Sequence, residues 1–158
     1  MAEGKTNAMR LLDKAKISYQ VHTYEHEDGK IDGISVAEKL GEPLEQVFKT
    51  LVTKGSKGGY FVFVIPVAQE LDLKKAAKAV GEKSVEMIHV VDINKVTGYI
   101  RGGCSPVGMK KLFPTVFDSS VENLPTVIVS GGRIGTQVEV QPKELLALVK
   151  AKTAELTA

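Results

Sequence analysis

Tryptophan is absent from this 158-residue sequence, aromatic residues make up only 6% of it, and Cys104 is its single cysteine. With so few aromatic side chains, a hydrophobic core has to be built mainly from Val, Leu, Ile and Ala. Since Cys104 has no second cysteine to pair with in the chain, an internal disulfide is excluded, which agrees with a reducing compartment.

Long apolar runs are missing as well. No uninterrupted stretch approaches the roughly 18 residues that a membrane-spanning helix needs. The N-terminal segment, Met1 to Lys16, is charged and lacks the apolar centre of a signal peptide. We therefore expect a cytoplasmic protein without a membrane partner.

Arginine is scarce among the charged residues. Only three of the 21 basic residues are arginine, and the net charge is +2. A protein that is held to nucleic acid mainly by phosphate contacts carries a stronger basic excess. If this protein binds a nucleic acid, we expect a local pocket to provide most of the recognition, with salt-dependent help from scattered lysines.

The remaining composition is that of an ordinary globular protein, with 43% hydrophobic and 25% charged residues. The length predicts one domain, residues 1–158. Short strands, several of them joined by hairpins, are interrupted irregularly by helices, which favours an α+β fold with a mixed, largely antiparallel sheet. Helices are predicted to begin near Thr6 or Asn7, Ser35, Pro43, Asp72, Asp92 and Pro142. Strands are predicted at Ile17 to Thr23, Thr50 to Thr53, Tyr60 to Pro66, Thr115 to Phe117, Thr126 to Ser130 and Gln137 to Val140.

Lys49 is the first candidate for a functional residue, because it interrupts the apolar run from Val47 to Val52. A lysine in such a place either extends its stem to water at the start of a strand or meets an anion. In the functional interpretation, its ammonium group binds a phosphate or a carboxylate, or polarises a carbonyl. Both interpretations are open at this point.

The second candidate is the segment Gly102 to Gly108, which has three glycines and a proline in seven residues. Glycine lets the backbone approach a ligand and consecutive amides can bind an anion, although a plain tight connection would use the same residues. Ser105 lacks the Gly-x-Ser-x-Gly spacing of a nucleophile elbow. Cys104 lacks a Cys/His signature and is better interpreted as a small buried thiol.

The third candidate is the glycine-rich segment Ser130 to Gly135. Its glycines do not follow the Gly-x-Gly-x-x-Gly spacing, and a predicted strand follows it instead of a helix. A dinucleotide-binding loop is therefore rejected. The simpler interpretation is a glycine-rich hairpin that carries Arg133.

Neither a metal site nor a common catalytic signature is predicted. His22 and His26 are four residues apart, but they lie in a strand-like segment beside acidic residues, which is typical of a surface patch. Cys104 and His89 add no ligand spacing, and we find no Ser/His/Asp triad, Walker loop or aromatic ladder. We expect neither a metal nor a cofactor.

Taken in order, six segments of the chain resemble the YbaK/EbsC family, bacterial relatives of the editing domain that is inserted in prolyl-tRNA synthetases. The resemblance extends from about Thr6 to Lys150, and the joint order and spacing of the segments carry it. The segments are Val47 to Leu51, Val64 to Pro66, Leu71 to Lys75, Thr97 to Gly108, Val129 to Gly135 and Glu139 to Leu145.

The resemblance implies a barrel-like mixed sheet with surrounding helices, and the activity of a trans-editing aminoacyl-tRNA deacylase. Such an enzyme cleaves the ester between a mistaken amino acid and tRNA, chiefly in Cys-tRNA(Pro) and also in Cys-tRNA(Cys). A second, hydrolytic site is needed because binding alone discriminates poorly between small side chains of similar size, such as cysteine and proline. The implied partners are the aminoacylated 3′ end of tRNA and prolyl-tRNA synthetase.

The resemblance also implies site residues. Lys49 matches the family's functional lysine, and Tyr24, on the polar face of the first predicted strand, matches its pocket tyrosine. The implied substrate-binding residues are Tyr24, Gly102, Gly103, Ser105, Pro106, Ser130, Gly131 and Gly132. The chain departs from the family at Gln137, where many members carry an acidic residue. Because glutamine cannot act as a general base, this position cannot supply the role of a carboxylate.

An aminoacyl ester is already activated, so positioning and carbonyl polarisation can supply much of the rate. For a cysteinyl ester, the family implies substrate assistance, in which the substrate's own thiol attacks its carbonyl and expels the tRNA 3′ end. We expect Lys49 to hold the terminal adenosine's phosphate or the ester itself. Backbone amides of the Gly102 and Gly131 loops are expected to face the developing oxyanion.

Three alternatives stay open. A deacylase of the same fold that acts on Ala-tRNA(Pro) would need water as its nucleophile. A binding module would capture aminoacyl-tRNA or a nucleotide without turnover. An interaction partner of the synthetase would keep the pocket only as a vestige.

Overall fold

Five α-helices and eight strands alternate irregularly in the computed structural model, which describes residues 4–158. Residues 1–3 lie outside the described residues. They are part of the predicted domain and of the N-terminal segment in which no signal peptide is predicted. The helices are α1 (Asn7–Lys14), α2 (Gly33–Leu40), α3 (Leu73–Val80), α4 (Ile93–Thr97) and α5 (Pro142–Leu148). The strands are β1 (Tyr19–Thr23), β2 (Phe48–Gly55), β3 (Tyr60–Pro66), β4 (Val85–Met87), β5 (Thr115–Asp118), β6 (Val127–Arg133), β7 (Thr136–Val140) and β8 (Lys152–Ala154).

The strands form two sheets. One has the order β1-β7-β6 and is antiparallel throughout, whereas the other has the order β4-β2-β3-β5-β8 and contains two parallel pairs, β3 with β5 and β5 with β8. A parallel bridge between Val47 and Ile128 connects the start of β2 to β6. The α+β fold with a mixed, largely antiparallel sheet is confirmed, although within residues 4–158 the sheets do not close into a barrel.

Local sequence signals account for most helix ends. The Thr6 hydroxyl caps α1, the Asp72 carboxylate caps α3, and Gly41 and Gly81 end α2 and α3 in left-handed conformations, as their positions predict. The predicted start of α2 at Ser35 is wrong. Asp32 is the residue that caps this helix, because its carboxylate accepts the Ser35 backbone N–H at 3.1 Å.

The hydrophobic core lies on both faces of β3. Val62 and Val64 point into the larger cluster, formed with α1, α5 and the three-stranded sheet, while Phe63 and Ile65 point into a second cluster under α3. Burial on both faces explains why β3 reads as a continuous apolar run and not as an alternating one. None of the helices within residues 4–158 has the length and apolarity to span a bilayer.

The side chain of Thr6 joins the start of α1 to the three-stranded sheet. Its hydroxyl oxygen accepts the Met9 backbone N–H at 3.1 Å and donates to the Gly131 carbonyl at 2.5 Å. One buried hydroxyl therefore serves both as the cap of a helix and as a partner for a buried backbone carbonyl.

We predict that Thr6→Ala lowers the free energy of unfolding by about 1–2 kcal/mol, because both hydrogen bonds are lost at a buried N-cap. Urea denaturation followed by circular dichroism measures the change. Thr6→Ser keeps the hydroxyl and should lose less than half as much. Equal losses in the two variants would show that the methyl group, and not the hydroxyl, matters.

Candidate functional site

A cavity of about 600 Å³ lies where β2, β6, β7 and the first turn of α2 meet. Its walls come from five parts of the chain, residues 29–36, 47–51, 67, 101–104 and 130–137, and the Val47–Ile128 bridge ties β2 to β6. The lining residues are Gly29, Ile31, Asp32, Gly33, Val36, Val47, Phe48, Lys49, Thr50, Leu51, Val67, Arg101, Gly102, Cys104, Ser130 and Gln137.

Lys49 lies on β2 in the cavity wall. It follows two almost fully buried residues, Val47 and Phe48, and is itself half-buried. Within residues 4–158 its ammonium group makes neither a hydrogen bond nor an ion pair. Of the two interpretations of this lysine, a cation available to a ligand fits the cavity position better than a lysine that only extends to water.

Two neutral polar side chains that line the cavity with Lys49 also lack partners. The Thr50 hydroxyl oxygen is enclosed and has no hydrogen-bond partner. Gln137 is buried, and its amide makes no hydrogen bond to any residue that the structure describes. Because buried polar groups are normally paired, these two groups are available to a polar ligand.

Ser130 is the third polar group in this wall. Its hydroxyl oxygen accepts the Gly132 backbone N–H at 3.2 Å, and its own proton remains available to an acceptor in the cavity. Ser130 and Gln137 are direct cross-strand partners on β6 and β7, so the pairing register places both in the cavity wall.

The loop at Gly102 and Gly103 depends on the absence of side chains. Gly102 has a φ of +85°, and an added Cβ would lie 2.8 Å from Cδ1 of Ile31. An added Cβ at Gly103 would lie 2.9 Å from the Cα of Arg133. The loop is therefore packed between the segment that precedes α2 and the β6–β7 hairpin, and it presents Gly102 to the cavity.

Gly131 and Gly132 shape the hairpin and do not line the cavity. They form an irregularity in the pairing of β6 with β7, because Ser130 pairs with Gln137 whereas Arg133 pairs with Thr136. Gly132 has a φ of +103° and packs against Thr6 and Tyr99. The irregularity ends the regular ladder just beyond Ser130.

Of the eight expected substrate-binding residues, only Gly102 and Ser130 line this cavity. Besides Gly103, Gly131 and Gly132, three more lie outside its lining, namely Ser105, Pro106 and Tyr24. Ser105 is fully buried, and its hydroxyl oxygen accepts the Val107 backbone N–H at 3.2 Å, which stabilises the loop from within. Pro106 lines a separate cavity. Tyr24 comes directly after β1 and not on its polar face. It is buried, and its hydroxyl has no partner within residues 4–158.

The cavity contains a thiol but no activated nucleophile. Burial raises the pKa of Cys104 to about 11, and a weaker hydrogen bond with Thr97 acts in the opposite direction. The thiol is therefore protonated at neutral pH, which makes it a poor nucleophile.

A general base is also lacking. Asp32 is the one carboxylate among the lining residues of the described chain, and it is already engaged as the cap of α2. Hydrogen bonds from the Ser35 hydroxyl and backbone N–H hold the pKa of Asp32 below its ordinary value. The arrangement can bind an anion or polarise a carbonyl with Lys49, but it offers no enzyme group suited to take a proton from water.

Four polar residues of the cavity are not candidate ligands in the sequence analysis, namely Asp32, Thr50, Arg101 and Gln137. The sequence indicates Thr50 only as the start of a strand, although its place next to Lys49 in an apolar run is a usable signal. In the sequence, Gln137 stands out only as a position where many members of the resembled family carry an acidic residue. Only the structure shows that Gln137 is buried and lines the same cavity as Lys49.

A family model described as an aminoacyl-tRNA editing domain matches residues 32–148. The chain is 48% identical over 153 residues to EbsC of Enterococcus faecalis, which is named as a candidate Cys-tRNA(Pro)/Cys-tRNA(Cys) deacylase; the match covers 97% of this chain and 93% of EbsC. It is 32% identical over 96 residues to the proline–tRNA ligase of Fervidobacterium nodosum, which covers 61% of this chain and 16% of the ligase.

A solved structure described as a candidate trans-editing enzyme for prolyl-tRNA synthetase superposes with a TM-score of 0.85 at 28% identity, covering 99% of both chains. The cavity residues from Asp32 to Gln137 all lie inside the segment that the family model matches, whereas Tyr24 lies outside it.

We predict that Gly103→Ala lowers the free energy of unfolding by about 1–3 kcal/mol, because the added Cβ would press on the backbone at Arg133, which cannot move aside like the end of a flexible side chain. Thermal and urea denaturation measure the loss. The matched control is Gly59→Ala, whose Cβ would meet only atoms of Phe61 at 3.8 Å. Its stability should change by less than about 0.5 kcal/mol. If the two variants are equally stable, the loop is not tightly packed.

Proposed function

The chain belongs to the aminoacyl-tRNA editing domain family, and from this premise we propose that it is a free-standing deacylase that hydrolyses mischarged Cys-tRNA(Pro). We also propose Cys-tRNA(Cys) as a substrate, which follows the name given to EbsC. The aminoacylated 3′ end of tRNA is the ligand of the cavity, and prolyl-tRNA synthetase is the proposed partner in solution.

The observation that supports this proposal best is a cavity with a free cation and no enzyme nucleophile. Lys49 is unpaired within the described residues, Cys104 is protonated, and Asp32 is engaged as a helix cap. Such a site suits a substrate that brings its own nucleophile. A cysteinyl ester does so, because its thiol lies two carbons from the carbonyl that has to be attacked.

The proposed reaction balances without any further reagent. The sulfur of the substrate forms a bond with its own carbonyl carbon, the ester bond to the terminal ribose breaks, and the thiol proton ends on the ribose oxygen. Lys49 stabilises the negative charge that develops on the carbonyl oxygen, or holds the adjacent phosphate. Free tRNA leaves, and the cyclic thioester of cysteine is then hydrolysed in water.

Existing hydrogen bonds exclude some backbone amides of the glycine-rich loops from binding the developing oxyanion together with Lys49. The Gly103 N–H already donates to the Ile100 carbonyl at 3.0 Å, and the Gly132 N–H donates to Ser130. Gly102 lines the cavity, and its N–H has no acceptor within residues 4–158. We therefore assign the proposed oxyanion contact to Gly102 and not to the Gly131 loop.

Ala-tRNA(Pro) is the second candidate substrate, and the cavity disfavours it. Alanine has no thiol, so water would have to attack the ester. Gln137 cannot accept the proton of that water, and Asp32 is occupied by Ser35. Measured side by side, loss of cysteine from tRNA(Pro) should be rapid, whereas Ala-tRNA(Pro) and Pro-tRNA(Pro) should be hydrolysed at rates near those without enzyme.

We predict that Lys49→Ala lowers the rate of Cys-tRNA(Pro) deacylation by about 10²–10³-fold, the usual cost of removing one electrostatic contact to a developing oxyanion. The assay follows release of labelled cysteine at saturating enzyme. Lys54→Ala is the matched control, because Lys54 is an exposed lysine on the same strand, outside the cavity. Full activity in Lys49→Ala would refute the assignment, and tRNA binding without turnover by the wild type would identify a binding module.

We predict opposite effects for two Thr→Val substitutions on β2. Thr50→Val removes an enclosed hydroxyl that has no partner, so the protein should be as stable as the wild type or up to about 1 kcal/mol more stable. Its deacylation rate should nevertheless fall about tenfold, because a polar contact with the substrate is lost.

The control is Thr53→Val, since the Thr53 hydroxyl donates to the Phe61 carbonyl at 3.0 Å. This variant should lose about 1 kcal/mol of stability and keep its activity. Urea denaturation and the deacylation assay are run on both variants. If Thr50→Val is destabilised and fully active, its hydroxyl has a structural role and does not bind substrate.

A further inference from the structure

A second group of reactive side chains lies outside the cavity. His22 on β1, Glu139 on β7 and Glu42, which follows the end of α2, each offer one nitrogen or oxygen atom, and these atoms lie within 4.8 Å of one another. All three residues are half-buried, and none of them lines the cavity. We refer to these three residues as the His22 cluster.

Glu139 is held in place by a chain of hydrogen bonds. Its Oε1 is 2.7 Å from the Nε2 of His22, and its Oε2 accepts a hydrogen bond from the Thr126 hydroxyl. The Gln46 amide in turn donates to the Thr126 hydroxyl at 3.0 Å and to the Thr126 carbonyl at 3.1 Å. Outer partners of this kind orient the ligands of a metal site and fix their charge.

The cluster carries more negative charge than it neutralises. Two carboxylate groups, those of Glu42 and Glu139, lie beside one imidazole. Within residues 4–158 the Glu42 carboxylate has no hydrogen bond or ion pair, although it faces Glu139 and His22. Two carboxylates this close repel each other, and a cation between them would remove the repulsion.

We propose that His22, Glu42 and Glu139 bind one Zn²⁺ ion. One imidazole nitrogen and two carboxylate oxygens form a donor set that suits zinc, with water as the fourth ligand. Mg²⁺ and Ca²⁺ prefer oxygen ligands alone, so the histidine favours a transition metal over either of them.

The present distances require only small movements. Ligand atoms about 2.0–2.2 Å from a tetrahedral zinc lie about 3.3–3.6 Å from one another. The His22 Nε2 and Glu139 Oε1, now 2.7 Å apart, therefore separate by under about 1 Å when zinc replaces the hydrogen bond between them. Glu42, on the segment after α2, closes the third position by a change of side-chain rotamer.

Zinc at this position would fasten together two walls of the cavity. Glu42 follows α2, whose first turn contributes Gly33 and Val36, and Glu139 is two residues beyond Gln137 on β7. The ion therefore has a structural role, and its binding does not depend on whether the cavity hydrolyses aminoacyl-tRNA. His26, which was considered with His22 from the sequence, packs beside Tyr24 and Gly135 and is not part of the cluster.

The test is a titration of chelator-stripped protein with Zn²⁺, in competition with a chromogenic zinc indicator. The wild type should bind one zinc ion per chain, and its melting temperature should rise with zinc. Glu42→Gln should weaken the affinity at least about tenfold and reduce the rise in melting temperature accordingly. Thr126→Val, which leaves all three ligands in place but removes the hydrogen bonds of the Thr126 hydroxyl with Glu139 and Gln46, should weaken the affinity by about tenfold. Within the described residues the Glu42 carboxylate makes no hydrogen bond or ion pair, so Glu42→Gln should fold normally, which circular dichroism checks.

Two controls complete the design. Glu38→Gln removes an exposed carboxylate of α2, and Cys104→Ser removes the cavity thiol, and both should bind zinc as the wild type does. The proposal is refuted if the wild type shows no 1:1 binding below millimolar zinc, or if Glu42→Gln and His22→Gln both bind as tightly as the wild type. Loss of binding in Cys104→Ser alone would also refute it, because the ion would then be in the cavity.

Discussion

The antiparallel pairing of β6 with β7 is the interaction on which the rest of the site depends. It sets Ser130 opposite Gln137 and thereby builds the polar wall of the cavity. Near the irregularity at Gly131 and Gly132, the hairpin accepts a hydrogen bond from Thr6 and packs against Gly103. The same strand β7 continues to Glu139, so the cavity and the His22 cluster share one support. A slip of one residue in this register would reverse every side chain of β7 and destroy both.

The cavity is built at some cost to stability. An enclosed hydroxyl at Thr50, a buried amide at Gln137 and a half-buried ammonium at Lys49 all lack partners within residues 4–158, although burial without partners is unfavourable. Strand β3 is buried on both faces, and the two hydrophobic clusters around it supply the stability that offsets the cost of these unpaired groups. Unpaired polar groups that converge on one cavity are what a site for a polar ligand requires, because the ligand completes their hydrogen bonds when it binds.

Local signals made much of the fold predictable. Thr6, Asp72, Gly41 and Gly81 mark helix ends by chemistry that acts over three or four residues, and β2 and β3 are adjacent strands joined by a glycine-rich turn. The start of α2 was misplaced because Asp32 and Ser35 are both good caps, and only backbone geometry selects between them. The strands β4 and β8 escaped prediction because three residues carry too little periodicity. Their pairing with β2 and β5 is what makes them strands.

The sequence by itself determined the α+β class and the family, because these depend on residue order. It also made Lys49 a candidate, because one charge interrupts an apolar run. Only the tertiary structure decided which residues share the cavity. It placed Thr50 and Gln137 in the same cavity as Lys49, and left six of the expected substrate-binding residues outside its lining, namely Tyr24, Gly103, Ser105, Pro106, Gly131 and Gly132. It also brought together Glu42, Glu139 and His22 from three separate parts of the chain. The physical reason is that hydrogen-bond register and side-chain direction across strands bring distant residues together, and spacing along the chain carries no record of that.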